Sequence, residues 1–326
     1  MVWFAVLASA IYTARQRPLK NWSANMKLSE ILAPQTEPAT LASEDLRARI
    51  DKIRGRAKHV VKVTRPAEHT QFPELFVDVP DSWPYVDVAP LYDVHRGHGR
   101  HLDALFSRHL SWILRSPHVL TFDGGDFSEF ASKLSLGAGV YEQRLKPDEQ
   151  FEDALLIQAR LWRKMLFKLP GNHEQRASVL GIDLARWIAT WLGIPYFPDF
   201  CFCTIRFAGN NFRILAHHGT GASTTAGAQR MAARKMMPWA KAFDVFWTGH
   251  LHNALVDTVY QVDHDQKTGR AFERDALVII APSYLSYFGT YAAQKMYPPG
   301  MPGLLPIRLH RDGRIDASVH ARGRRL

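Results

Sequence analysis

The stretch "HVLTFDGGD", residues 118–126, sets the architecture: a short apolar run that stops at once in aspartate and glycine. Three later stretches share the design: "LFKLPGNH" (166–173), "FRILAHHG" (212–219) and "VFWTGHLH" (245–252), each an apolar run of strand length ending in Gly, Asn or His. Between these runs lie segments of helical character at 102–114, 148–167, 183–192 and 227–237. The alternation from about Tyr85 onward predicts an α/β core. Pro147 followed by Asp148 and Glu149 suits a helix entrance, and Gly193 suits a helix stop. Strand ends of open sheets are where side chains converge on a ligand, because the backbone there stops covering itself.

Outward from this core, "LASEDLRARIDKIRGRAKHVVKVTR" (41–65) carries Leu46, Ile50 and Ile53 at helical spacing, a basic opposite face and Ser43 as a cap candidate. Five prolines follow (Pro66, Pro73, Pro80, Pro84 and Pro90), which no helix or central strand accommodates throughout, so the stretch is expected to be an extended linker. The expected division is an N-terminal helical and extended extension over 1–84 and a globular domain over 85–326. Pro90 is awkward in a first strand expected to lead into Asp93. Residues 255–283 predict a strand pair around "DQKTG", and the C-terminal part a hairpin around Asp312 and Gly313.

Cys201 and Cys203, the only cysteines, alternate in "FCFCTIRF" and predict two buried thiols on one strand face, a poor disulfide geometry. The opening apolar run of 11 residues (2–12) is too short to span a bilayer and has no basic residue before it, and Met26 is an alternative start. The expectation is a cytoplasmic protein without a membrane segment. A net charge of +10 biases partner choice toward phosphate-bearing molecules, nucleic acid among them.

Five strand ends carry chemistry: "YDVH" with Asp93 and His95, "GGD" with Asp126, "GNH" with Asn172 and His173, "HHG" with His218, and "GHLH" with His250 and His252. Each fragment alone is an ordinary turn or cap. Together, in this order and each after an apolar run, they fit a pair of divalent cations. A carboxylate, Asp126, would screen the repulsion between the ions, and imidazoles with one neutral amide oxygen would fill the other positions. Asp-x-His and His-x-His spacing on extended chain puts both side chains on one side. Without cysteine ligands the site suits Mn, with Fe, Zn and Ni as alternatives, better than a structural zinc cage.

The order Asp-x-His, Gly-Asp, Gly-Asn-His-Glu, His, Gly-His-x-His over residues 85–285 resembles the calcineurin-like metallophosphoesterase superfamily. The resemblance implies a four-layer α/β/β/α sandwich with a dinuclear site at the strand C-termini. It assigns Asp93, His95, Asp126 and His252 to one ion, and Asp126, Asn172, His218 and His250 to the other. His218 is preferred over His217 because it directly precedes Gly219. His173 matches the family's non-ligand histidine, which stabilises the transition state or protonates the leaving oxygen, and the implied reaction is hydrolysis of a phosphate ester by a metal-bridging hydroxide. Arg176 is a candidate for holding a phosphate oxygen, a surface salt bridge being its other reading.

The departures narrow the activity. "GDFSEF" and "LPGNHE" lack the Asp-Arg-Gly and the arginine of protein Ser/Thr phosphatases, and positions Phe127, Ser128, Glu129 and Phe130 lack the histidine common in the DNA-repair nucleases. The segment "FASKLSLGAGVYEQRLKPDEQ" and the aromatic "YLSYFGTYAAQKMYPP" (284–299) resemble parts of stand-alone phage and bacterial phosphoesterases, for which the compartment would be the host or bacterial cytoplasm. Tyr284, Tyr287, Phe288 and Tyr291 either stack on a nucleobase or pack the loop onto the sheet. The leading expectation is a metal-dependent phosphoesterase with phosphodiester or nucleic-acid substrates favoured. The alternatives are a phosphomonoesterase on small molecules or nucleotides, and a nucleic-acid-binding protein that uses 41–65 and the tail arginines on a vestigial phosphoesterase fold.

Overall fold

A computed structural model describes residues 37–65, 74–131, 139–222, 224–265, 267–318 and 320–321. Helix α1 (Glu37–Arg54) belongs to a unit that ends at Ala57, and residues 58–326 form the second unit. The helix begins before Ser43, so that residue lies inside it and is not its cap, and it ends at Arg54, well short of residue 65.

Two mixed sheets build the second unit. The larger has seven strands in the order β1 (Lys62–Thr64), β2 (Glu74–Asp78), β6 (Phe200–Phe207), β7 (Asn210–His217), β8 (Val245–Thr248), β10 (Ala271–Ile280) and β9 (Leu255–His264). Within it β2 runs parallel to β6, and β7, β8 and β10 run parallel to one another. The smaller sheet has the order β13 (Ile315–Ala317), β12 (Ile307–His310), β3 (Tyr85–Val88), β4 (Val119–Asp123) and β5 (Met165–Lys168), with β3, β4 and β5 parallel. A short antiparallel pair joins β11 (Gly303–Leu304) to β14 (His320–Ala321). Both expected hairpins form, β9 with β10 and β12 with β13.

The sheets share one core. Val86, Val88, Leu120, Phe122 and Phe167 of the small sheet cluster with Leu75, Val77, Ile205, Ile214 and Trp247 of the large one, and Phe122 meets Trp247 edge-on at 5.7 Å between ring centres. Strands β7, β8 and β10 bury both faces. Ile214, Val245, Trp247 and Ile279 point into the shared core, while Leu215, Phe246, Val278 and Ile280 pack with Ala233 and Met236 on the other side. Their runs read as continuously apolar for that reason. Cys201 and Cys203 are both buried in the shared core with free thiols, as strand alternation requires.

Four helices follow the expected segments: α2 (Asp103–Arg115), α3 (Pro147–Leu161), α4 (Leu184–Leu192) and α5 (Ala226–Arg234). Asp183 caps α4 by accepting from the Arg186 N–H, and Gly193 closes it at φ +62°. Helix α3 is shorter than the expected 148–167. It passes through a single 3-10 turn at Trp162–Lys164 into β5, so Phe167 is a strand residue.

The proline-rich stretch is not wholly linker. Pro80 and Pro84 lie outside β2, whose Leu75 and Val77 are fully buried between β1 and β6. Strand β2 thus belongs to the unit that runs from Lys58 to Leu326. Pro90 lies beyond β3. The Asp87 N–H bonds to the His118 carbonyl just before β4 and the Ala89 and Leu91 N–H groups to β4 itself, and the missing donor at Pro90 falls on the side where β12 has already run out. Residues 1–36, Pro66, Pro73, the 132–138 part of the expected insertion and the tail arginines Arg322, Arg324 and Arg325 lie outside the described residues. Among the described residues no helix is long and apolar enough to cross a membrane.

Candidate metal centre

The ends of β3, β4, β5, β7 and β8 bring Asp93, His95, Asp126, Asn172, His218, His250 and His252 together. Three groups have ligand atoms within 4.8 Å of one another: Asp93 with His95 and His252, Asp126 with His218 and His250, and His95 with Asp126 and His173. Asn172 joins the second group, its Oδ1 lying 2.8 Å from His250 Nδ1 and 3.1 Å from His218 Nε2. His217 turns away, accepting the Gly219 N–H on its Nδ1.

The backbone bends sharply to achieve this. Asp93, His95, Asp126, His250 and His252 all have φ between +48° and +66°, a region in which non-glycine residues cost about a kilocalorie or more each. Five such residues at one point in the fold mark a place where side-chain direction outweighs local backbone preference. Close approach also explains two glycines: a Cβ at Gly171 would collide with the Asp126 carboxylate, and one at Gly249 would stand 2.5 Å from Asp93 Oδ2.

The donor set fits a cation. Asp93 and Asp126 are fully buried, yet Asp93 Oδ1 and Asp126 Oδ2 accept no hydrogen bond. The other oxygens are used, since Asp93 Oδ2 accepts the His250 N–H at 2.8 Å and Asp126 Oδ1 the His173 N–H at 2.7 Å. Three imidazoles have one ring nitrogen facing an oxygen, His95 Nδ1 at Glu129 (2.9 Å), His218 Nδ1 at the Gly124 carbonyl (3.0 Å) and His250 Nε2 at the Gly221 carbonyl (2.9 Å). Each such bond fixes one ring nitrogen as a donor and directs the second toward the centre, where a cation would take the place of its proton. His95 Nε2 and His252 Nε2 lie 3.0 Å apart, a contact natural for two ligands of one ion.

Charge divides these rings into one neutral and two protonated near pH 7. Burial, then the nearby His173 ring, lowers His95 to about 4, so it is neutral near pH 7 as a ligand must be. Burial also works against a charged His218, but the facing Asp126 carboxylate outweighs it and raises the group to about 10. For His173 burial is again overcome, by the Asp126 carboxylate and the Glu129 hydrogen bond, and the group rises to about 9.

His218 makes the stability of the metal-free protein depend on pH. The folded value of His218 lies above its ordinary one. The stabilisation it draws from Asp126 is therefore complete below about pH 6.5 and is lost as pH rises toward about 10. A cation must displace that proton, so metal stabilisation should grow with pH. Thermal unfolding with Mn²⁺ and with chelator should show two curves that diverge between about pH 6.5 and about pH 9. Curves that converge would refute the arrangement.

Several working residues escaped the reading of the sequence. Glu129 is buried and serves three partners: His95, the His173 ring (Oε1 at 3.3 Å from Nδ1) and Arg176 (3.4 Å). Glu174 accepts the N–H groups of Asp126, Ser128 and Gly171, tying the β4 and β5 loops together. Lys168 and Asp123, both fully buried, pair directly, and Asp123 also takes the Gln158 amide and the Gly125 N–H. The available signal was a charged residue inside each of two apolar runs, "LFKLP" and "LTFDG". Arg176 does not stand free to meet a phosphate oxygen. Its guanidinium donates to the Glu129 carbonyl at 3.0 Å and lies 2.9 Å from His173 Nε2. Of the aromatic segment, Tyr284 is core, buried against Phe106 with its hydroxyl 2.9 Å from His109 Nδ1, Tyr287 lines the cavity over the centre, and Phe288 is exposed.

No family model matches the chain, and no curated protein matches it.

Proposed function

We propose that the chain is a dinuclear metal-dependent phosphoesterase of the calcineurin-like type, with the two sheets and their flanking helices forming the four-layer α/β/β/α sandwich of that family. One observation carries the reading. Two fully buried carboxylates each keep an oxygen without a hydrogen bond, and both belong to the groups of imidazoles described above. Each of those oxygens faces only imidazole nitrogen, His252 Nε2 at 3.4 Å from Asp93 Oδ1 and His218 Nε2 at 3.2 Å from Asp126 Oδ2, contacts that a bound cation would replace with stronger ones. Asp93, His95 and His252 would hold one ion and Asn172, His218 and His250 the other, with Asp126 shared between them. Manganese is the expected metal, with iron, zinc and nickel as alternatives. The cations, when bound, supply positive charge against the phosphoryl oxygens and lower the pKa of water enough for attack near neutral pH.

The chain's own groups supply the rest. In the overall hydrolysis a water oxygen forms the new bond to phosphorus, the bond from phosphorus to the ester oxygen breaks in line with it, and that oxygen leaves with a proton. His173 is assigned as the proton donor: the Glu129 carbonyl 2.9 Å from Nδ1 fixes the ring, and Nε2, which lies 2.9 Å from the Arg176 guanidinium, would leave that contact to protonate the leaving oxygen. Arg176, bonded to Glu129 and beside Nε2, positions the ring and adds local positive charge. Purified protein with Mn²⁺ is expected to hydrolyse at least one of an activated monoester and an activated diester, and to lose that activity with chelator. No turnover of either ester with any of the four metals would sink the reading.

A further inference from the structure

The cavity that includes His95, His250 and His252, about 370 Å³, has apolar and charged residues in its lining. We infer that the ester it accepts is a small molecule whose phosphate carries a compact, uncharged, ring-bearing organic group no larger than a nucleoside, and that a nucleic-acid strand is not its substrate. The inference rests on the phosphoesterase reading and deepens it.

One wall is apolar and built to stay in place. Leu251, Leu285, Tyr287, Tyr297 and Pro298 line it. The Tyr287 hydroxyl donates to the Tyr297 carbonyl at 2.7 Å, the Tyr297 N–H bonds to the Ala292 carbonyl at 2.9 Å, and the Thr290 hydroxyl donates to the Tyr287 carbonyl at 2.7 Å. Three bonds within one short segment close the loop on itself. The Tyr287 proton is already committed, so what its ring offers a ligand is chiefly a surface for stacking or edge contact.

The charged part of the lining argues against a polyanion. Among the described lining residues Arg176 carries the one guanidinium and none carries an ammonium group, and both Arg176 and the His173 ring are engaged by Glu129. Glu129 and Glu142 bring two carboxylates to the lining, Glu142 with an oxygen 3.6 Å from His98 Nε2. Proteins that hold single strands pair aromatic platforms with a basic groove that tracks successive phosphates. Here the aromatic wall is present and the groove is absent from the described cavity, so the net charge of +10 resides elsewhere on the chain. The volume lies near the lower end of the ~300–1,000 Å³ typical of small-molecule sites.

Calorimetry on Mn²⁺-loaded protein with benzylphosphonate, methylphosphonate and a single-stranded DNA oligonucleotide tests this. Benzylphosphonate should bind roughly 10-fold or more tightly than methylphosphonate, as one ring contact of stacking strength predicts. Tyr287→Ala should remove most of that preference, while Tyr287→Phe, which keeps the ring and loses the bond to Tyr297, should retain most of it. Salt-sensitive binding of the oligonucleotide tighter than that of benzylphosphonate, or a ring preference absent from wild type, would overturn the inference. Saturation-transfer NMR with benzyl alcohol on metal-free protein reads the wall independently. A ring signal that depends on Tyr287, in a protein that hydrolyses no ester, would sink the reaction and keep the cavity assignment. Hydrolysis without ring preference would do the reverse.

Discussion

Replacing His173 with alanine is expected to lower hydrolysis of an alkyl ester by ~10²–10⁴-fold while metal content stays at the wild-type level. The geometry makes this a demanding expectation, because His173 lies within 4.8 Å of His95 and Asp126 ligand atoms and could itself be read as a ligand. Its ring is held from outside the centre. Nδ1 lies 2.9 Å from the Glu129 carbonyl, and Nε2 lies 3.9 Å from Asp126 Oδ2 with Arg176 at 2.9 Å. A proton donor held this way should matter in proportion to the basicity of the leaving oxygen. The loss should be small for a 4-nitrophenyl ester, whose leaving group needs little help, and large for an alkyl ester. If the variant instead loses about half its metal, and equally on all leaving groups, His173 is a ligand and the donor role fails.

The candidate ligands were legible because each ends an apolar run, and a strand that terminates in Asp or His has no packing reason to do so. The five positive φ values that aim them were not, since nothing in the residue types Asp and His distinguishes a left-handed position from an ordinary loop. Helix α3 was read too long because no proline or glycine separates Leu161 from Met165, and the turn at Trp162–Lys164 carries no sequence mark. Strand β2 was read as linker because prolines stand on both sides of it. They punctuate the strand without entering it, and the alternation of buried Leu75 and Val77 is too short to signal by itself. Pairings across the fold lay beyond the sequence altogether. Lys168 meets Asp123 across 45 positions, and Glu129 reaches His95 across 34. The net positive charge pointed to a phosphate partner, but the cavity walls carry two carboxylates, because net charge says nothing about where on the surface the charge sits.

Asp126→Asn is expected to abolish metal-dependent stabilisation while leaving the metal-free fold intact. The two oxygens of Asp126 do different work. Oδ1 accepts the His173 N–H at 2.7 Å, a bond an asparagine carbonyl reproduces. Oδ2 has no hydrogen-bond partner and faces His218 Nε2 at 3.2 Å, and an amide nitrogen in its place would present N–H to a cation instead of a lone pair. The variant also removes the negative charge that holds His218 protonated, and burial should then return that ring to its neutral form near pH 7. The metal-free variant thus loses an ion pair but also sheds a buried carboxylate that was costly to leave incomplete, and the two changes offset in part. Metal at about 100 times its dissociation constant should stabilise the wild type by about 2.7 kcal/mol, or roughly 5–10 °C for a unit of this size. The asparagine variant should show little of that shift, and its metal content by elemental analysis should fall with it. A variant that unfolds at the same temperature as wild type both with Mn²⁺ and with chelator would mean that Asp126 is a structural carboxylate and that the ions, if bound, are held without it.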